Sequence, residues 1–169
     1  MNTFQPPIII QARQSSNRLP GKVMLPFCKE MTMIEFQYKR LKLKFKNVCI
    51  ATSNDKSDDS MCNYFDKLNI NYYRGSLNNV MLRLYEAFMQ VKAKDDCHFI
   101  RVGGDDPLVS PEGIQVILSH VEKEKVNQTI GMYYTSYDEG MIYGCATELF
   151  NADLFYNVIK EVEIIKENI

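Results

Sequence analysis

Short runs of β-branched and aromatic residues alternate along this chain with longer amphipathic stretches, the pattern of a layered α/β domain with a mostly parallel, Rossmann-like sheet flanked by helices. The runs predict strands over residues 7–12, 47–52, 71–74, 98–102, 129–134 and 143–150. The first of them, PPIII, is apolar on both sides and reads as a central strand between two helical layers. Helices are predicted over 33–43, with Ile34, Tyr38 and Leu41 on one side, over 57–68, and over 78–93, where Val80, Leu84, Ala87, Phe88 and Val91 recur at helical spacing. A fourth begins at Ser110-Pro111-Glu112, which supplies an N-cap, a proline at the first helical position and an early acid. The last begins near Ala152 and carries Leu154, Phe155, Val158, Ile159, Val162 and Ile165, an apolar stripe that needs cover from the domain, a second subunit or further sequence. Residues 133–144 form a polar, glycine-bearing excursion long enough to be a functional loop.

Composition narrows the classes. A length of 169 residues suits one domain, and 46% hydrophobic with 24% charged residues is the balance of a folded globular chain. Twenty Lys and Arg against 21 Asp and Glu leave a formal charge of −1, so no general attraction to nucleic acid or to an anionic membrane surface is expected. Any anion site must therefore be local. The five cysteines are spaced too widely and irregularly for a zinc site or a disulfide framework and read as buried reduced thiols. No leader pattern and no run near the roughly 20 apolar residues of a membrane span are present, so a cytoplasmic protein is expected.

Directly after PPIII the chain reads QARQSSNRLPGK, which places Arg13, Arg18 and Lys22 in one short loop. Ligands of such sheets bind beyond the carboxyl ends of the strands. Guanidinium forks and an ammonium suit a polyphosphate, while Ser15, Ser16 and Gly21 suit a backbone that turns tightly and presents N–H groups. The same three charges also fit a solvated surface loop. The stretch is neither a P-loop nor a GxGxxG turn. The second informative stretch is RVGGDDPL: Gly103-Gly104 end a strand and deliver Asp105-Asp106 at its carboxyl end. Adjacent carboxylates suit a Mg²⁺ ion carried by phosphates, and they equally suit a turn that caps a strand.

At these residues the chain resembles a known family. QARQSSNRLPGK is similar to the (Q/P)AR-x-x-S-x-RLPGK signature of the cytidylyltransferases that make CMP-activated sugars, and GGDDPL resembles their GD-x-PL. IATSND, YYRGSLNNVMLR and YGCATELF stand in register with the branch of spore coat polysaccharide biosynthesis proteins, alongside the CMP-Kdo and acylneuraminate enzymes. The resemblance implies a GT-A-like nucleotidyltransferase fold and transfer of CMP from CTP to a sugar acid or a polyol or sugar phosphate, with release of pyrophosphate. It implies that Ala12 and Arg13 meet the nucleotide, that Arg13 and Lys22 bind its triphosphate, and that Ser16 and Arg18 shape the loop. Thr52 and Ser53 would lie beside the base, with Arg74, Gly75, Ser76 and Arg83 along the nucleotide or acceptor side. Asp105 would hold Mg²⁺, with Asp106 or Glu148 as the candidate second carboxylate. The resemblance further implies a homodimer and a C-terminal extension past residue 169, so the chain reads as a single domain over 1–169 without that extension. Two rivals remain beside the enzyme: a non-catalytic nucleotide-binding or assembly subunit, and a GT-A glycosyltransferase with GDD as its metal motif. Nucleotidyl transfer needs in-line positioning and charge neutralisation, which Arg, Lys and Mg²⁺ supply without a covalent nucleophile. His98 and His120 read as structural and solvated, the nine methionines as core filler, and Tyr133, Tyr134, Tyr137 and Tyr143 as packing or stacking residues of the late loop.

Overall fold

The computed structural model describes residues 5–16, 18–94, 96–123, 132–134 and 147–167. The opening run forms strand β1, Ile8–Gln11, whose three isoleucines are fully buried. Alternate side chains of a strand point to opposite faces, so Ile8 and Ile10 enter one apolar cluster and Ile9 the other. That two-sided burial is what PPIII encodes.

The remaining elements are strands β2 (Pro26–Cys28), β3 (Met31–Thr32), β4 (Val48–Ser53), β5 (Tyr72–Gly75), β6 (His98–Gly103), β7 (Met132–Tyr134) and β8 (Thr147–Asn151). Among the described residues five α-helices complete them: α1 (Met33–Lys42), α2 (Asp59–Lys67), α3 (Val80–Val91), α4 (Pro111–Lys123) and α5 (Ala152–Glu167). Among the described residues the main sheet has the order β5-β4-β1-β6-β8-β7. Strands β5, β4, β1 and β6 are parallel neighbours, β8 runs antiparallel to β6, and β7 antiparallel to β8. The expected mostly parallel α/β architecture is therefore present. Helices α1, α2 and α4 cover one face through Ile34, Phe65 and Ile114, while α3 and α5 cover the other through Phe88 and Phe155. On that second face Phe99 stacks on Phe88 at 5.3 Å and meets Phe155 edge-on at 5.1 Å.

The chain leaves β1 for β4 and β5 on one side, then returns to place β6 on the other side of β1. This is a topological switch point, where the loops leaving two adjacent parallel strands diverge and open a crevice. Here those loops are the basic one after β1 and the acidic one after β6.

Several elements depart from the pattern. A β2–β3 hairpin lies between the basic loop and α1; its strands of three and two residues are too short to show a period. The helix expected from residue 57 starts as a 3₁₀ turn, Lys56–Asp58, before α2. On α5, Phe155 and Ile159 are buried, but Val158, Val162 and Ile164 are exposed, because the helix meets the sheet along one narrow strip. Cys49 and Cys62 are buried, as expected, and burial pushes the Cys49 thiol up to about 12. Cys97 is exposed instead, since it stands where the chain enters β6 from solvent. Residues 135–144 of the late loop, with Tyr137 and Tyr143, lie outside the described residues, as does Cys145, and the side chains of Tyr133 and Tyr134 are not described. No described helix is long and apolar enough to cross a membrane.

Candidate active site

The basic loop closes on itself through one carbonyl. Gln14 O accepts N–H bonds from Ser16 and Gly21, both at 2.8 Å, drawing the two ends of the loop together. Gly21 then adopts φ 71°, the left-handed region that glycine enters without a Cβ penalty, and the chain turns into a short 3₁₀ helix over Lys22–Met24. The reversal points Lys22 back at the end of β1.

Beneath the loop lies a fully buried carboxylate, Asp58, that no local sequence signal distinguished from Asp55 and Asp59 around it. Its oxygens accept from the Gln14 amide at 2.7 Å, the Thr52 hydroxyl at 3.0 Å, the Ser53 amide at 3.1 Å and the Ser53 hydroxyl. Gln14 adds side-chain bonds to Ser57 O at 2.9 Å and to Ser60 Oγ at 2.8 Å. The resemblance put Thr52 and Ser53 beside a base. Their side chains are fully buried and turned to Asp58, so they anchor the loop from below.

The acidic turn is fixed from two directions. Gly104 donates to Gln11 O at 2.8 Å, and a Cβ at this position would stand 2.8 Å from the Cβ of Ala12, so only glycine lets the turn lie against the start of the basic loop. From the other side, α1 reaches up with Gln37, whose Nε2 donates to Gly103 O at 2.8 Å and Asp106 O at 2.9 Å, and with Arg40, whose Nη1 donates to Pro107 O at 2.7 Å. Neither Gln37 nor Arg40 stood out in the sequence, where each is one polar residue on an amphipathic helix.

The two segments meet over one cavity of about 460 Å³ lined by Gln11, Ala12, Arg13, Ser16, Arg18, Lys22, Val23 and Asp105. Lys22 is hydrogen-bonded and ion-paired to Asp105 across it. Burial works to raise the Asp105 carboxyl, but the Lys22 contact, with Arg18 adding to it, holds the carboxyl below its ordinary value. Asp106 behaves oppositely. Burial first, and the charge of Asp105 second, push its carboxyl up, against the opposing charges of Arg101 and Lys22.

Other expected site residues lie apart. Arg74, Gly75 and Ser76 line a second, open hollow of about 800 Å³ beyond β4 and β5. Arg74 is held there by Ser53 O at 3.0 Å and by an ion pair with Asp59 at 2.7 Å. Arg83 is fully buried and lines neither hollow. Its Nη1 donates to Ser76 O at 2.5 Å and Leu77 O at 3.3 Å, while Nε and Nη2 find no partner among the described residues. Burial, and then the nearby charge of Arg13, lowers its pKa. It is thus an interior cation, held by two carbonyls and offset in part by the charge of Asp58. Glu148 is bound to Arg101 at 2.7 Å across the β6–β8 pair, and Arg101 also donates to the Gln11 side chain at 2.9 Å. That carboxylate is committed to Arg101 and does not line the cavity.

A family model described as cytidylyltransferase matches residues 7–164. The chain belongs to the cytidylyltransferase family. Among its relatives within that family, spore coat polysaccharide biosynthesis protein SpsF of Bacillus subtilis is 31% identical over 156 residues, covering 89% of this chain and 60% of its own. The 3-deoxy-manno-octulosonate cytidylyltransferase of Lawsonia intracellularis is 32% identical over 113 residues, 65% of this chain and 43% of its own. A cytidylyltransferase structure from Leptospira borgpetersenii superposes with a TM-score of 0.80 at 27% identity, over 92% of this chain and 64% of that one. The chain spans about half the length of the curated relatives it matches.

Proposed function

We propose that this chain is a Mg²⁺-dependent cytidylyltransferase of GT-A type that transfers CMP from CTP to a sugar acid or a polyol or sugar phosphate, supplying a precursor of surface polysaccharide in the cytoplasm as a homodimer. One observation carries the reading: three cations of the loop after β1 and the carboxylate after β6 face the same cavity. Family membership supports the choice of CTP, and the relatives' names support a sugar-type acceptor.

Mg²⁺ fits the donor set. Asp105 already holds one cation, the Lys22 ammonium, at the cavity wall, and no group of three or more metal-ligating side chains occurs among the described residues. One carboxylate is a poor metal site alone and an adequate one when phosphate oxygens complete the shell. Bound there, Mg²⁺ would neutralise charge on the triphosphate of CTP. Arg13, Arg18 and Lys22 hold the phosphate oxygens and fix the α-phosphorus in line with the acceptor. The acceptor oxygen, a hydroxyl that gives its proton to solvent or a phosphate oxygen already ionised, forms its bond to the α-phosphorus as the bond to the β-phosphate oxygen breaks, and pyrophosphate leaves with the electron pair. The loop's backbone and its buried Asp58 anchor keep these cations in place through the transfer.

The test is saturation binding of each nucleoside triphosphate with Mg²⁺, followed by pyrophosphate release with sugar acids and with polyol phosphates. Saturable CTP binding with release on one acceptor class is expected. Binding without release on any acceptor would favour a nucleotide-binding assembly subunit. Lys22→Ala should weaken CTP binding by about 1.5–3 kcal/mol, as for a hydrogen bond to a charged group.

A further inference from the structure

The cavity holds more positive than negative charge. Arg13, Arg18 and Lys22 face it, Asp105 is the one carboxylate lining it among the described residues, and that carboxylate is in contact with the Lys22 ammonium. A bare divalent cation approaching Asp105 meets an ammonium on Oδ2 and two guanidiniums lining the same cavity. Like charges at such separations repel by kilocalories when partly shielded from water. A polyphosphate reverses the sign of the field, and its oxygens compete with Asp105 for the ammonium.

Resting on the triphosphate site proposed above, we infer that the Lys22–Asp105 ion pair is a latch that admits a divalent cation only in the company of a polyphosphate. The nucleotide's phosphates draw Lys22 off Asp105, and the released carboxylate would then be free to help hold a divalent cation. Metal and nucleotide therefore bind with positive coupling, and by linkage each raises the other's affinity by the same factor. Lys22 has two successive partners, Asp105 first and phosphate second. Lys22 opens the 3₁₀ turn after Gly21 and lines the same cavity as Asp105, so a phosphate bound in that cavity lies within reach of the ammonium.

The experiment titrates the chain with Mn²⁺, whose preference for carboxylate and phosphate oxygen matches that of Mg²⁺, and follows free Mn²⁺ by electron paramagnetic resonance. For the unmodified chain, saturating CTP should tighten Mn²⁺ binding by about 5- to 150-fold, the usual range of coupling between sites. Lys22→Met keeps most of the stem and removes the charge, so it should bind Mn²⁺ without nucleotide about tenfold more tightly than the unmodified chain. Adding Asp105→Asn should cancel that gain. Lys22→Gln provides a second neutral variant, with circular dichroism reporting that each one folds. Equal Mn²⁺ affinity in the unmodified chain and both neutral variants would overturn the latch, as would a gain that survives Asp105→Asn. Calorimetric titration with CTP in the presence of chelator separates the two readings. Failure to bind CTP removes the triphosphate site, whereas the Mn²⁺ comparison without nucleotide still decides whether Lys22 guards Asp105.

Discussion

Neighbouring carboxylates in the acidic turn have opposite fates. Asp105 gains a cation and is held ionised; Asp106, half-buried one residue on, resists ionisation. An acid whose folded value is raised above the ordinary 3.8 favours its neutral form, so its contribution to stability is full at low pH and is lost as pH rises through the raised value. Asp106→Asn should therefore raise the thermal midpoint at pH 7 without metal, and the gain should shrink as pH falls toward 4. A variant less stable than the unmodified chain at pH 7 would show that the ionised Asp106 makes a stabilising contact. At this scale the sequence was readable where charge is concentrated: Arg13, Arg18, Lys22 and Asp105 all fall just past strand ends. Asp58 and Gln37 were not readable, because their value lies in partners 44 and 66 residues away along the chain. Arg83 shows the converse, since a motif position does not reveal that the side chain is fully interior.

Helix α1 joins the two halves of the site. It follows the β2–β3 hairpin that ends the basic loop, is capped by Thr32 through Glu35 N at 3.3 Å, and presents Gln37 and Arg40 one turn apart to the carbonyls of the acidic turn. Gln37→Leu keeps the bulk and deletes both side-chain donors, so Gly103 O and Asp106 O each keep only a backbone donor, Asp106 N and Val109 N, and the loss should cost about 1–3 kcal/mol in denaturant unfolding. Because the loosened turn carries Asp105, metal-supported CTP binding should weaken more than binding measured with chelator. Equal losses in the two conditions would reduce Gln37 to a general packing residue. Periodicity made α1, α3 and α4 legible, since each buries one stripe. It could not reveal that β8 runs antiparallel to β6, because a strand's alternation is the same in either direction.

At the level of the molecule, function follows from where the chain changes direction across its sheet. Strands β4 and β5 lie on one side of β1 and β6 on the other, so two loops separated by some 80 residues open side by side. Neither loop is a site alone: the first supplies positive charge, the second a carboxylate, and Gly104 lets them touch. The α/β layering was legible from the alternation of runs, and the candidate site from two short motifs at strand ends. The meeting of those motifs depends on strand order, which no local pattern encodes. The most direct test is a CTP and Mg²⁺ titration of the ¹⁵N-labelled chain followed by amide chemical shifts. Concerted, saturable shifts at Ser16, Gly21 and Lys22 together with Gly104, Asp105 and Asp106 are predicted. Shifts confined to one of those two segments, or found only around Arg74 and Ser76, would contradict a shared triphosphate pocket.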